Sequence, residues 1–264
     1  MVNQTSGTTN TLLGVSFTDA NNGTAVGEFG TIVRTTDGGN TWMPQISGTE
    51  VDLWGVSFTD VNNGTAVGFD FTTVTGVILR TTDGGSSWTS QPNAASTPLV
   101  GVSFTDANTG TVVGGAGLIL RTTDGGNNWI PQVSGTESDL LRVSFTDANN
   151  GTAVGQAGTI LRTTDGGSHW MPRQSGTTEL LAGVSFTDVN HGIAVGAFGT
   201  IVTTSDGGNS WVNEPSGTGY DLSRVSLNTA VGFGGTILRR EIMPRISPTP
   251  RPIPTPRPRP TPPR

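Results

Sequence analysis

The sequence predicts an all-β protein, a six-bladed β-propeller with four antiparallel strands in each blade. A phrase close to SFTD begins at residues 16, 57, 103, 144 and 185, and a degenerate copy begins at residue 226. The repeat period is therefore 41 residues, apart from one step of 46. Each repeat contains four short segments with the character of strands, and four strands in about 40–45 residues is the size of one propeller blade.

The first repeat shows how the four strands are assigned. LLGVSFT at 12–18 alternates small and apolar residues and predicts the first strand, while TAVG at 24–27 and TIVRT at 31–35 predict the second and third. WMPQIS at 42–47 predicts the fourth. The intervening phrases DANNG and TDGG are rich in Asp, Asn and Gly, which favour turns.

The two ends of the chain complete the ring in this interpretation. The first three strands occur six times, but only five repeats continue through a tryptophan into a fourth strand. Residues 3–8 (NQTSGT) align with 44–49 (PQISGT), which follow that tryptophan elsewhere. Residues 1–6 are therefore predicted to form the outer strand of the sixth blade, pairing with residues 236–240 and removing a free sheet edge.

The domain boundary is predicted where the composition changes. Residues 1–241 are predicted to form the propeller, and residues 242–264 a proline- and arginine-rich tail or linker. Such a tail cannot bury apolar area, so it is expected to be disordered or in the polyproline II conformation. A proline-recognition ligand and an arginine-mediated tether are alternative roles for it.

Composition excludes several classes of function. The chain has no cysteine, which excludes disulfides, thiolate metal sites and cysteine nucleophiles. No apolar run approaches the ~20 residues that a transmembrane helix needs. Residues 1–239 contain 8 Arg and 19 acidic residues. This acidic balance argues against nucleic-acid binding, which requires clustered cations.

One phrase in each repeat points to a known family. TTDGGNTW at 35–42 resembles the Asp-box of bacterial neuraminidase (BNR) repeats. The whole unit VSFTDANNGTAVGEFGTIVRTTDGGNTW is similar to repeats of the photosystem II assembly and stability factor-like proteins. The resemblance implies a β-propeller and a protein-binding role, with a glycan-binding or sialidase-type glycoside hydrolase module as the alternative.

The boxes themselves are predicted to be structural. A carboxylate in this turn can accept several backbone N–H bonds, the paired glycines take positive φ, and the tryptophan packs beneath the turn. A calcium loop would need several carboxylates in one turn, whereas each box offers one. The structural residues are Asp37, Asp83, Asp124, Asp165 and Asp206 with Trp42, Trp88, Trp129, Trp170 and Trp211.

Catalytic constellations are not indicated, so no enzyme activity, cofactor or metal ion is predicted. Sialidase chemistry, as the resemblance implies it, needs an arginine cluster and a Tyr–Glu nucleophile pair, and Tyr220 is the only tyrosine. Arginine recurs at one repeat position, which indicates either an ion pair or stem packing in each blade or a cationic binding ring; these residues are Arg34, Arg80, Arg121, Arg162 and Arg239. His169 and His191 occupy unrelated turn positions.

The repeats differ from one another on one predicted face of the ring. We call it the variable face: it consists of the turns between second and third strands and the links between blades. Loops on a rigid scaffold are where binding usually occurs. Its aromatic and acidic residues predict a surface for a protein partner, or else aromatic caps on the core; the binding candidates are Phe29, Trp54, Phe69, Asp70, Phe71 and Tyr220. Its acidic rim could alternatively hold the arginine-rich tail.

The sequence therefore predicts a non-catalytic propeller that binds a protein through its variable face. A glycan ligand stays open as the alternative. The tail and the usual setting of Asp-box proteins also lead us to expect an extracytoplasmic bacterial location: periplasmic, secreted or cell-surface.

Overall fold

The chain folds as a six-bladed β-propeller, which confirms the predicted fold class. The computed structural model describes residues 4–239. Five sheets contain four antiparallel strands each, and the sixth contains three within these residues. The only helices there are three-residue 3-10 turns, and none is long and apolar enough to cross a bilayer.

Each blade contributes strands in chain order from the centre of the ring outward. The innermost strands are β1 (Leu12–Phe17), β5 (Leu53–Phe58), β9 (Leu99–Phe104), β13 (Leu140–Phe145), β17 (Leu181–Phe186) and β21 (Leu222–Ser226). The second strands are β2 (Gly23–Gly27), β6 (Gly64–Asp70), β10 (Gly110–Gly114), β14 (Gly151–Gly155), β18 (Gly192–Gly196) and β22 (Thr229–Gly232). The third strands are β3 (Ile32–Thr35), β7 (Thr75–Thr81), β11 (Ile119–Thr122), β15 (Ile160–Thr163), β19 (Ile201–Thr204) and β23 (Ile237–Arg239). The outer strands are β4 (Met43–Gln45), β8 (Thr89–Ser90), β12 (Ile130–Gln132), β16 (Met171–Arg173) and β20 (Val212–Glu214).

The glycine that opens the second strand of blades 1 to 5 makes room for an aromatic ring. Phe17 is paired with Gly23 across β1 and β2. A Cβ atom at Gly23 would lie 2.5 Å from the Phe17 ring, closer than any side chain tolerates. The repeated phrase GTAVG therefore begins with glycine because the phenylalanine of the neighbouring strand crosses it.

The hydrophobic core is divided among the junctions between blades. At the junction of blades 1 and 2, Val26 and Ile32 pack against Leu53, Val56 and Phe58. Equivalent apolar clusters fill the next four junctions, up to that of blades 5 and 6. Each fully buried aliphatic side chain contributes about 1.5–3 kcal/mol, so the stability of the ring resides mainly in these junctions.

The junction between blade 6 and blade 1, which we call the seam, is packed less tightly. Val15 of β1 is 60% exposed, whereas its repeat equivalent Val56 is 9% exposed. Val231 of β22 is 40% exposed, whereas its equivalent Val26 is fully buried. Arg224 spans the seam, since its Nη2 donates a 2.8 Å hydrogen bond to the carbonyl of Leu13.

The predicted closing strand lies only partly within the described residues. Residues 1–3 and the tail at 242–264 lie outside them, and residues 4–6 are not in a strand. Gln4 nevertheless makes the contact expected of an outer strand: its Nε2 donates to the carbonyl of Gly38 at 3.2 Å. The repeat equivalent Gln45 donates in the same way to Gly84, at 3.0 Å.

The direction of the strands places the turns on two faces. The turns between first and second strands and the Asp-boxes lie on one face, which we call the box face. The variable face lies opposite, because antiparallel neighbours return the chain to it after every second strand. Third strands run toward the box face, and outer strands run back to the variable face.

Candidate functional site

The Asp-box carboxylates close the turns of the box face. In the first box Asp37 Oδ1 accepts the Thr41 N–H at 2.9 Å and the Thr35 hydroxyl at 2.8 Å, and Oδ2 accepts the Thr41 hydroxyl at 2.7 Å. The hydrogen bonds from Thr41 and then Thr35 lower the pKa of Asp37 to about 2. The same carboxylate pattern occurs in the other four boxes, at Asp83, Asp124, Asp165 and Asp206.

The box tryptophans pack edge-on against the phenylalanines of the innermost strands. The Trp42 and Phe17 rings lie 6.1 Å apart at an interplanar angle of 88°. Such edge-to-face pairs add about 0.5–1.5 kcal/mol to the burial of area. The same arrangement pairs Trp88 with Phe58, Trp129 with Phe104, Trp170 with Phe145 and Trp211 with Phe186.

Three of the five repeated arginines connect neighbouring blades, namely Arg34, Arg80 and Arg121. Arg34 Nη2 donates to the carbonyl of Val61 in the next blade at 2.7 Å, and its guanidinium lies over the Phe58 ring at 5.3 Å. Arg80 and Arg121 make the corresponding contacts across the next two junctions. Burial lowers the pKa of all three guanidinium groups. The arginine cluster of a sialidase is therefore not assembled from these residues.

Both histidines lie on the box face beside an aspartate of their own turn. His169 Nδ1 lies 2.7 Å from Asp165 Oδ2, and His191 Nδ1 lies 2.9 Å from Asp188 Oδ2. Within residues 4–239, no group of three His, Asp or Glu side chains is placed to hold a metal ion. The box face thus consists of turns in which the polar side chains pair with groups of the same turn.

The variable face displays phenylalanines on strained turns. In blades 1 and 5 the central residue of the turn between second and third strands is a phenylalanine in the left-handed region: φ is 54° at Phe29 and 52° at Phe198. This conformation is costly for a bulky residue and is held only where the surroundings impose it. The equivalent residues of blades 3 and 4 are Ala116 and Ala157.

An aspartate from the following link holds these turns. Asp52 Oδ1 accepts the Phe29 N–H at 3.0 Å, and Asp221 Oδ1 accepts the Phe198 N–H at 2.8 Å. Asp221 also accepts the Phe233 N–H through its backbone carbonyl, at 2.9 Å. The aspartates thus fix the backbone, while the phenyl rings they position are left in solvent.

The insertion of blade 2 brings three predicted aromatic residues together. The Phe71 ring lies 6.0 Å from Trp54 and 5.0 Å from Phe69. Asp70 accepts the N–H groups of Thr72 and Thr73, so it closes the tip of the hairpin. Hydrogen bonds from the Thr73 side chain and then the Thr72 backbone lower the pKa of Asp70.

Phe69 requires a correction. We predicted it as a binding residue, but it is only 5% exposed. The insertion extends the β6–β7 ladder, in which Phe69 pairs with Gly76, so Phe69 lies within the strand and packs inward. Phe71 lies in the turn beyond the end of β6, where its ring rests on Phe69 and stays exposed.

Exposed aromatic residues are concentrated on one part of the variable face. The turns and links of blades 5, 6, 1 and 2 display five rings that are 60–71% exposed: Phe29, Phe71, Phe198, Tyr220 and Phe233. We call this set the aromatic arc. Phe233 was missed because it precedes the centre of its turn by one position, although the GFGG phrase contains it. The Tyr220 ring lies over the same turn, 3.6 Å from the Cβ position of Gly234.

A family model matches the first part of the chain. Residues 3–98, which include blades 1 and 2, match the family model described as photosynthesis system II assembly factor YCF48. The predicted resemblance is confirmed. A comparison with curated proteins gives no match.

Several solved structures have the same fold as this propeller. A structure of YCF48 bound to D1 peptide is 22% identical with a TM-score of 0.57, over 88% of this chain and 93% of that one. The GH74 enzyme of Niastella koreensis is 16% identical with a TM-score of 0.68, over 86% of this chain and 44% of that one. The WD40 repeats of RRP9 are 9% identical with a TM-score of 0.69, over 86% of this chain and 74% of that one.

Proposed function

We propose that this YCF48-like propeller is a non-catalytic scaffold that binds a protein partner through the aromatic arc. The observation that carries the proposal is the placement of Phe29 and Phe198. Both are held in an unfavourable backbone conformation and both expose about 70% of the residue, at 68% and 71%. Strain of this kind persists at functional sites, and exposed aromatic residues are typical anchors of protein interfaces.

Two further observations support a protein ligand. A structure of similar fold, YCF48, has been solved with D1 peptide bound. The variable face of this chain also has an acidic rim: eight carboxylates and no arginine lie in its turns and links, namely Glu28, Glu50, Asp52, Asp70, Glu137, Asp139, Glu179 and Asp221. Charge complementarity then selects a partner segment that combines apolar and basic residues.

The non-catalytic part of the proposal follows from the use of the ionisable residues. Three of the repeated arginines bond to neighbouring blades, and the box aspartates bond to their own turns. The Tyr220 ring lies over the turn that contains Gly234. The GH74 likeness, at 16% identity, concerns the fold. Turnover of a fluorogenic sialoside or of a β-glucan by the purified protein would contradict this part of the proposal.

The binding site can be tested with a matched set of variants. Phe29→Ala/Phe71→Ala/Phe198→Ala removes three exposed rings, of which Phe71 alone contacts a buried ring, that of Phe69, and His169→Ala is the control on the box face. In titrations with D1 peptide, and in pull-downs that quantify each captured protein, the triple variant should lose at least about tenfold in affinity. A partner that binds the triple variant and wild type equally well would place the site elsewhere.

We further propose an extracytoplasmic location, as expected from the tail and from the setting of Asp-box proteins. Cell fractionation of the native host with an antibody to the propeller tests it. Recovery of the protein with cytoplasmic markers would contradict the location without affecting the binding proposal.

A further inference from the structure

A cavity opens at the axis of the ring and extends into the seam; we call it the axial cavity. Its volume is about 700 Å³, within the range of about 300–1,000 Å³ that is usual for small-molecule pockets. The innermost strands of blades 1, 2, 3, 4 and 6 line it, and β22 adds residues on the blade 6 side of the seam. Most of its wall is apolar, and this part includes Leu13, Val15, Trp54, Val56, Val100 and Val231.

The charged residues of this wall are two arginines. Arg142 and Arg224 occupy the third position of the innermost strand in blades 4 and 6, and glycine occupies it in the other four blades. Glycine is needed where neighbouring strands approach closely, since a Cβ atom at Gly55 would lie 2.8 Å from the carbonyl oxygen of Val100. This position of the repeat therefore contributes two guanidinium groups and no other side chain.

Hydrogen bonds to backbone carbonyls hold both guanidinium groups in place. Arg142 Nη1 donates to the carbonyls of Val100 and Leu141. Arg224 donates to the carbonyl of Leu13 across the seam and to that of its own neighbour in β21. These bonds use two of the five N–H donors of each guanidinium group. The Nη2 group of Arg142 and the Nε groups of both arginines have no acceptor among residues 4–239, so both side chains can still donate to a ligand.

The positive charge of the axial cavity is not balanced by an acidic residue of the described part of the chain. No aspartate or glutamate of residues 4–239 lines the cavity, and none of them forms an ion pair with either arginine. Burial lowers the pKa of Arg224, but arginine remains charged in proteins. Because a charge that is removed from water without a partner is costly, an anion in contact with these guanidinium groups is favoured.

We infer that the axial cavity binds an organic carboxylate with an apolar body. Arg142 and Arg224 bind the carboxylate, because the planar N–H fork of arginine matches its geometry. The apolar body lies against Leu13, Trp54 and Val15, and it covers part of the apolar surface that the seam leaves in solvent. The inference goes beyond the proposed function, since none of the five residues of the aromatic arc lines this cavity.

Octanoate is a suitable probe because it combines a carboxylate with an apolar chain. Titration calorimetry of the full chain at constant ionic strength compares it with 1-octanol, which lacks the charge, and with acetate, which lacks the chain. Wild type should bind octanoate at least about tenfold more tightly than either compound. Octanoate that fails to bind, or that binds no more tightly than either comparison compound, would overturn the inference.

The role of the arginines can be tested with variants whose folding is checked by thermal unfolding. Arg142→Gln/Arg224→Gln should weaken octanoate binding at least about tenfold and leave 1-octanol binding unchanged. Arg239→Gln is the matched control, because Arg239 is exposed and lies outside the cavity, and it should bind octanoate like wild type.

The seam requires a further variant, since Arg224 also connects blades 6 and 1. Arg224→Lys keeps the charge, so it should lose less octanoate affinity than Arg224→Gln. Folded Arg142→Gln and Arg224→Gln variants that bind octanoate like wild type, singly or combined, would overturn the inference. Equal losses in Arg224→Lys and Arg224→Gln would also count against binding through the charge.

The apolar part of the site can be tested without changing a charge. Val15→Trp fills the seam side of the cavity and should weaken octanoate binding at least about tenfold, because the chain loses the burial of several methylene groups. Val61→Trp is the control at an exposed position on the box face, outside the cavity. Unchanged octanoate affinity in Val15→Trp would overturn the placement of the chain. All these variants keep the aromatic arc, so titrations with D1 peptide distinguish a failure of this site from a failure of the scaffold proposal.

Discussion

Arg121 of blade 3 reaches across a blade junction to the carbonyl of Ala148 in blade 4, with its Nη2 donating at 2.7 Å. Its Nη1 donates to Thr111 at 2.9 Å, and its guanidinium lies 4.9 Å from the centre of the Phe145 ring. One buried side chain thus fixes the relative position of two sheets through a carbonyl and an aromatic ring. Since the ring is assembled from such junctions, the arginine position is structural.

Replacing Arg121 by alanine should therefore destabilise the propeller. The variant loses charged hydrogen bonds and a cation–π contact and leaves the Ala148 carbonyl unpaired, so the free energy of unfolding should fall by about 3 kcal/mol. Urea unfolding measures this. Arg239→Ala is the matched control, because Arg239 has the same repeat position but is exposed, and it should change stability by less than about 0.5 kcal/mol. Equal losses in both variants would refute the assignment.

The boxes make stability depend on pH in a defined direction. The pKa of Asp37 is lowered from 3.8 to about 2, so its folded pKa lies below its unfolded value. Such a group stabilises the fold above the unfolded pKa and loses that contribution as pH falls through the folded one. Asp83, Asp165 and Asp206 behave alike, with pKa values of about 2. The protein should therefore lose stability steadily between about pH 4 and pH 2.

Asp37→Asn should remove one part of this pH dependence. The difference in Tm between wild type and the variant should be greatest near pH 5 and should shrink toward pH 2, where the wild-type carboxyl is also protonated. Glu50→Gln is the control, because Glu50 lies in a link of the variable face and in none of the boxes, and this variant should keep the wild-type loss of stability toward pH 2. A Tm difference that stayed constant across the range would contradict the assigned role of the carboxylate.

Much of this architecture could be predicted because the determinants are local. Each box joins Thr35, Asp37 and Thr41 through hydrogen bonds that span at most four residues, so the phrase alone specifies the turn. The number of blades follows from counting the phrase. Every copy of the phrase therefore predicts the same turn, whatever its position in the chain.

The structure differs from the sequence-based prediction where the position of a side chain depends on residues that are distant in the chain. Phe69 was predicted as a surface residue of the variable face, whereas β6 and β7 pair as far as Asp70 and Thr75 and keep Phe69 within the strand, packed inward. The seam depends on Arg224 and Leu13, which are 211 residues apart in the chain. No repeated phrase encodes such a contact, so the sequence gives no sign of a less tightly packed junction.

Replacing a strained phenylalanine should raise the stability of the fold and weaken the binding of a ligand. Phe29→Gly relieves the left-handed conformation and should raise the free energy of unfolding by about 0.5–1 kcal/mol, while weakening any ligand of the aromatic arc. Ala116→Gly is the matched control: it has the same turn position and φ of 54°, but no ring. It should stabilise the protein to a similar degree and leave binding unchanged. Calorimetry and peptide titration on both variants separate the two effects, and equal binding losses would contradict the role of the Phe29 ring.

The seam should be the first junction to open. Val15 and Val231 lie in solvent where their equivalents are buried, so β1 and β22 gain less from burial than the strands at other junctions. In native-state hydrogen exchange, the amides of β1 and β22 should exchange about 10–100-fold faster than those of β9 and β10, which lie at tightly packed junctions. Arg224→Ala should widen this difference, since it removes the hydrogen bond to Leu13. Uniform protection of all six junctions would show that the ring unfolds as one unit and would contradict a weaker seam.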